Sequence, residues 1–186
     1  AFGLPLLQLM DTTSTKVQAV ILAPTRELGH QIFSNLEAFA QYLPEVSIAA
    51  TCGGIPIKPQ IERLASTTHI IVATPGRLID LIQRKAVDLK ETQFLVLDEA
   101  DEMVSILKES LDEIIKELPA NHKTLLFSAT LPGTIKQLIQ NYLHKNAVQV
   151  SANMETVGNH GIDHHYIVVD PIEKLDVLMH FLKSKQ

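Results

Sequence analysis

Short apolar runs alternate along this chain with longer stretches whose apolar positions recur every three or four residues. Val17–Ala23 (VQAVILA) reads as a buried strand rich in β-branched residues. Glu27–Tyr42 follows, with Leu28, Ile32, Phe33, Leu36 and Phe39 near helical spacing. Val46–Thr51 predicts a strand and Lys58–Leu64 a short helix. Ile70–Ala73 predicts a further buried strand, and a helix runs through Leu78, Ile79, Leu81 and Ile82. Phe94–Leu97 is a strand, and Met103–Leu118 is helical, with apolar positions at Ile106, Leu107, Leu111, Ile114 and Ile115. Thr124–Phe127 predicts a strand, Pro132–Leu143 a helix opening on proline, and Ala147–Val150 a strand.

Strands that are apolar along their whole length, each followed by a helix, predict an α/β fold: a parallel sheet with helices on both faces. Functional sites of such sheets gather at the carboxyl ends of the strands. Ser151–Gly161 (SANMETVGNHG) breaks the alternation, is polar and reads as a linker. Beyond it, His164–Val169 predicts a strand and Ile172–Lys183 a helix, too little for a domain. The expected organisation is a partial first domain over 1–152, a linker over 153–161 and the start of a second domain over 162–186.

Composition narrows the class. The chain has 186 residues, 46% of them hydrophobic and 20% charged, which suits a globular domain and not a disordered one. Cys52 is the single cysteine, so no disulfide forms within the chain. No apolar run approaches the roughly 20 residues that span a bilayer, and the opening AFGLPLLQLM lacks the basic start of a signal peptide. A cytoplasmic protein is expected. The formal net charge of −5 argues against gripping nucleic acid by bulk electrostatics. Any such binding must rest on a few backbone amides and arginines.

The residues that follow the strands carry the chemistry. Phe94–Asp101 (FLVLDEAD) delivers Asp98 and Glu99 to a strand end. There one acid can hold Mg²⁺ and its neighbour can orient an attacking water. Taken alone, the pair fits a helix N-terminus equally well. Leu125–Pro132 (LLFSATLP) ends in the hydroxyls of Ser128 and Thr130, which suit bonds to neighbouring acids and, taken alone, suit a helix cap better. Ala23–Leu28 (APTREL) and Ala73–Leu78 (ATPGRL) place Pro, Thr and Arg at helix starts, where free N–H groups meet phosphates and Arg26 and Arg77 can add charge. Gly53-Gly54 allows close backbone approach to a ligand. Each of these three, singly, fits a turn better than a site.

In combination and in order, PTREL, GG, TPGRL, DEAD and SAT resemble the DEAD-box RNA helicase family, over nearly the whole chain. The resemblance implies a RecA-like P-loop NTPase domain of an enzyme that couples ATP binding and hydrolysis to RNA binding and duplex unwinding. It implies that Asp98 helps hold Mg²⁺ on ATP, that Glu99 positions the hydrolytic water, and that Asp101 pairs with Ser128 and Thr130. It implies that Pro24, Thr25, Arg26, Gly54, Thr74, Pro75, Gly76 and Arg77 lie along the RNA backbone, with little sequence preference.

The chain departs from the family pattern in one large respect. No GxxxxGK[ST] phosphate loop occurs in it, and Ala1–Met10 resembles the helix that follows that loop. The expectation is therefore a domain lacking its first strand and phosphate loop. It is a piece of a longer enzyme that by itself does not hydrolyse ATP at a useful rate. In the family that strand lies within the sheet, so unpaired strand edges and an uncovered apolar face are expected. After DEADEM the family's Gly-Phe is replaced by Val104-Ser105-Ile106-Leu107, which is expected to alter packing.

Two other classes stay in view. One is a non-catalytic module binding RNA or a protein, for which intact Asp98 and Glu99 would have no use. The other is a DNA helicase or different RecA-like ATPase. His160, His164 and His165 make a poor metal site, because strand neighbours face opposite sides. Cys52 reads as a buried strand residue, and the acidic stretch Glu109–Glu117 as a solvated face.

Overall fold

The computed structural model describes residues 1–130, 133–151 and 165–184. Two units emerge, Ala1–Ala147 and Val148–Gln186. The first holds α1 (Gly3–Leu9), β1 (Ala19–Leu22), α2 (Arg26–Phe39), β2 (Ile48–Thr51), α3 (Ile57–Leu64) and β3 (Ile70–Ala73). It continues with α4 (Pro75–Gln83), β4 (Phe94–Leu97), α5 (Ala100–Lys116), β5 (Lys123–Leu126) and α6 (Gly133–Tyr142). All five strands are parallel, in the order β2-β3-β1-β4-β5.

Alternation along the strands explains the layers. In β1, Ala19 and Ile21 join Ile70, Val72, Phe94 and Val96 in a core with Leu6 and Leu7 of α1 and Ile32 and Leu36 of α2. Val20 and Leu22 point the other way, to Ile71, Leu95, Leu97, Leu78 of α4, Met103, Leu111 and Ile114 of α5, and Ile135 of α6. A strand buried on both faces must be apolar at every position, and β1, β3 and β4 are fully buried.

The five strands are hydrogen-bonded without a gap, so no vacancy divides them. The thinly covered side is β5, whose Thr124, Leu125 and Leu126 are only half-buried and which, among the described residues, pairs with β4 alone. Two predicted strands do not form. Residues 147–150 have no regular structure, with Val148 87% and Val150 90% exposed. Residues 165–169 likewise have none, and Tyr166, Ile167 and Val168 are exposed. A strand needs a neighbour to satisfy its amides, and neither segment has one among the described residues. Among the described residues of the second unit the regular element is α7 (Lys174–Ser184).

Helix ends also shift. α5 starts at Ala100, ahead of the predicted Met103, because Asp101 and Glu102 favour the positive end of a helix though they give no apolar signal. α6 begins at Gly133, and Pro132 lies outside the described residues. So do the linker over 153–161, His160, His164 and the side chains of Val104–Leu107.

Candidate nucleotide and nucleic-acid site

Because every strand is parallel, all five motifs meet at one edge of the sheet. Along that edge lie Cys52-Gly53-Gly54 after β2, Thr74–Arg77 after β3, Pro24–Arg26 after β1, Asp98-Glu99 after β4 and Ser128–Thr130 after β5. With about 4.8 Å between strands, the row extends roughly 19 Å. Its two ends differ in chemistry: glycines, hydroxyls and arginines over β2, β3 and β1, acids and hydroxyls over β4 and β5.

At the acidic end, β4 stops at Leu97 and the chain is held on both sides. Asp98 N–H donates to Leu22 O at 3.1 Å and Ala100 N–H to Phe127 O at 2.9 Å. Between these anchors Glu99 takes a left-handed backbone, φ 50° and ψ 51°. For a residue with a side chain that conformation costs about 1–2 kcal/mol. It leaves the Glu99 side chain exposed at the strand end, and its N–H donates to Asp98 Oδ1 at 3.1 Å.

Asp101, one turn into α5, reaches across to the end of β5. Its Oδ2 accepts from Thr130 Oγ1 at 2.7 Å and from Thr130 N–H at 3.1 Å, while the Ser128 hydroxyl donates to Thr130 O at 2.6 Å. The Thr130 hydroxyl above all, with a smaller contribution from Ser128, holds the Asp101 carboxyl below the usual carboxylate range. A depressed carboxylate contributes stability above its unfolded pKa and loses it as pH falls through the folded one. Thr130→Val should therefore raise the Asp101 pKa toward its ordinary value, read by carboxyl NMR titration. An unchanged titration would show that Thr130 does not set it.

At the other end, Thr25 caps α2 by accepting from Leu28 N–H at 3.2 Å. Thr74 occupies the same position on α4 but makes no cap; its Oγ1 instead accepts Gly53 N–H at 3.1 Å. Pro75 carries no N–H, and Arg77 and Leu78 N–H both reach Thr74 O at 3.1 Å. Gly76, between them, is exposed, and a Cβ there would meet nothing within 4 Å. Gly54 has φ +81°, which suits glycine, and a Cβ on it would lie 2.7 Å from Arg26 Nη1. Arg26 is exposed and pairs with Glu27 at 2.6 Å, which raises its own pKa and lowers that of Glu27. Arg77 is half-buried, and its Nη2 donates to Ile55 O at 2.8 Å, so it braces the loop after Gly54.

Two residues behind this loop carry weaker sequence signals. Cys52 is fully buried, and burial raises its thiol pKa. Gln60 is 5% exposed and its Nε2 donates to Cys52 O at 3.0 Å. Its signal is a polar residue at helical spacing between Ile57 and Leu64, on the stripe that should be apolar.

No group of three or more His, Cys, Asp or Glu poised to hold a metal ion occurs among the described residues. The Asp98 carboxylate does suit Mg²⁺ that arrives with phosphates, since that ion commonly takes one or two carboxylates and completes its shell with phosphate and water. Nor is any helix among the described residues long and apolar enough to cross a membrane.

Comparison with known proteins agrees with this arrangement. The family model for DEAD/DEAH box helicases matches residues 1–138. The DEAD-box ATP-dependent RNA helicase CshA of Streptococcus pneumoniae is 40% identical over 187 residues, covering 100% of this chain and 35% of that protein. CshA of Bacillus cereus is 40% identical over 184 residues, 98% of this chain and 34% of its own length. Among solved structures, a DEAD box protein from Methanococcus jannaschii superposes with a TM-score of 0.74 at 33% identity, covering 98% of this chain and 48% of that one. This chain belongs to the DEAD/DEAH box helicase family. It spans about a third of the length of the CshA relatives.

Proposed function

We propose that this chain is the greater part of the first RecA-like domain of an ATP-dependent RNA helicase, with a linker over 153–161 and the start of a second domain over 162–186. One observation carries the reading. A single sheet edge holds a phosphate-seeking set over β2, β3 and β1 and an acidic set over β4 and β5, and the second set is tied across to β5 by Asp101 and Thr130.

On this reading the RNA backbone runs over Pro24, Thr25, Arg26, Gly54, Thr74, Pro75, Gly76 and Arg77. The exposed Gly76 N–H at the start of α4 and the Arg26 charge meet phosphates and ignore base identity. Few contacts suffice, which reconciles RNA binding with a net charge of −5. Mg²⁺ arriving with ATP neutralises phosphate charge when bound, and Asp98 supplies its carboxylate oxygen. Glu99 orients the attacking water and takes up its proton, while Asp101 with Ser128 and Thr130 couples the nucleotide end of the row to the RNA end. The 186 residues contain no phosphate loop, so this chain alone does not hydrolyse ATP at a useful rate. The buried thiol of Cys52 fits a reducing cytoplasm.

Fluorescence anisotropy with a labelled single-stranded RNA tests the RNA half. Binding should weaken with salt and differ little between sequences. Arg26→Ala should raise Kd about tenfold and flatten the salt slope by about one. RNA affinity that Arg26→Ala leaves untouched would remove that edge as the binding surface.

A further inference from the structure

The proposed RNA row depends on the shape of the turn after β2, and that turn has little structure of its own. Gly53 and Gly54 lie between a four-residue strand and α3, and Gly54 takes a positive φ. Three tethers hold it. Thr74 Oγ1 accepts the Gly53 N–H, Arg77 donates to Ile55 O, and Gln60 donates to Cys52 O from beneath. Thr74 and Arg77 are half-buried groups of the row itself. Gln60 is different: it is buried, belongs to no motif and faces no solvent.

We infer that Gln60 is the positioning residue for the Gly53-Gly54 turn, and that its side-chain amide sets how well the row receives an RNA backbone. This rests on the RNA reading above. A buried amide on an otherwise apolar helix stripe is costly unless it does something an apolar residue cannot. Gln60 uses only its NH₂: its Oε1 is buried and makes no hydrogen bond, so packing alone would be better served by leucine or methionine. What the NH₂ supplies is a donor to the Cys52 carbonyl, the last backbone acceptor before the two glycines. With it, the peptide planes leading into Gly53 and Gly54 stay in one orientation. Without it, the glycines sample their full range and the binding conformation becomes a minor one, which lowers affinity by its lost fraction.

The test compares this chain with Gln60→Met and Gln60→Glu, using a labelled single-stranded RNA across a salt series, with thermal melting alongside. Gln60→Met keeps length and removes the donor; its Kd should rise about fivefold to tenfold. Its salt slope should stay that of the parent, because no charged contact is lost, whereas Arg26→Ala flattens the slope. Gln60→Glu should bind as weakly wherever its carboxyl is ionised, above the raised pKa that burial gives it, since a carboxylate cannot donate to a carbonyl. It should recover relative to the parent as pH falls and the new carboxyl gains a proton to donate. Gly53 and Gly54 amide resonances should shift in Gln60→Met while those of β1, β3 and β4 stay in place.

Parental RNA affinity in Gln60→Met overturns the inference and leaves the RNA reading intact. So does a Gln60→Glu protein whose affinity relative to the parent stays the same as its carboxyl titrates. A parent chain that binds no RNA overturns the RNA reading, and the inference with it.

Discussion

Glu99→Gln should lower RNA-stimulated ATP hydrolysis by about 10²- to 10⁴-fold, the usual contribution of a positioned general base. The measurement belongs in a protein that adds a phosphate loop ahead of Ala1 and the remainder of the second RecA-like domain after Gln186. Substrate affinities should change little, because the amide keeps the shape and loses the ability to take a proton. The backbone at Glu99 makes the prediction sharper. The left-handed φ of 50° is held by the Asp98–Leu22 and Ala100–Phe127 bonds, and on the proposed reading its cost is offset by the catalytic placement of the side chain. Asn tolerates that conformation better than Glu. Glu99→Asn should therefore melt at an equal or higher temperature while turnover collapses, an exchange of stability against activity. Glu99→Gln with parental turnover would remove Glu99 from the chemistry. Glu99→Asn with a lower melting temperature would show that the strain argument is wrong.

The sequence carried the sheet interior well, for a physical reason. Ile70–Ala73 and Phe94–Leu97 are buried on both faces, so every position is apolar and polar neighbours mark the ends to the residue. The same logic failed at 147–150 and 165–169. VQV and HHYIVV have strand-forming composition, but a strand exists only against a partner, and the composition of a segment does not report whether one is present. The exposed valines at 148 and 150 show the difference.

The site was legible in part for a similar reason. Residues that follow apolar strands are readable once the sheet is known to be parallel, which gathers Asp98, Thr25, Thr74 and Thr130 at one edge. Their hydrogen bonds were not readable. Thr25 and Thr74 precede helices with nearly identical wording, PTREL and TPGRL, yet one caps its own helix and the other holds Gly53. Arg77 looks like a free phosphate ligand in sequence and is bound to Ile55 O in the fold. Which acceptor a donor finds depends on the neighbouring strand, and that is long-range information.

Gly29 offers the second large effect. It lies in the first turns of α2, where alanine would ordinarily stabilise by about 0.8–1.0 kcal/mol. A Cβ at Gly29, however, would sit 2.7 Å from Cys52 Sγ, and both residues are buried. Overpacking of this kind costs about 1–3 kcal/mol. In the parent, Gly29→Ala should thus lower stability in urea by up to about 2 kcal/mol, the clash exceeding the helix gain. In a Cys52→Ala background the sulfur is gone, and the same substitution should become stabilising by up to about 1 kcal/mol. A reversal of sign between backgrounds amounts to a coupling equal to the clash itself, about 1–3 kcal/mol, measurable in a double-mutant cycle. Cys52 also bears the carbonyl that Gln60 holds, so this contact joins the helix behind Arg26 to the strand end before Gly53-Gly54. RNA affinity should follow: weakened in Gly29→Ala, restored when Cys52→Ala is added. Equal stability changes in the two backgrounds would mean that α2 and the end of β2 are not packed against each other there, and that the two halves of the RNA row are positioned independently.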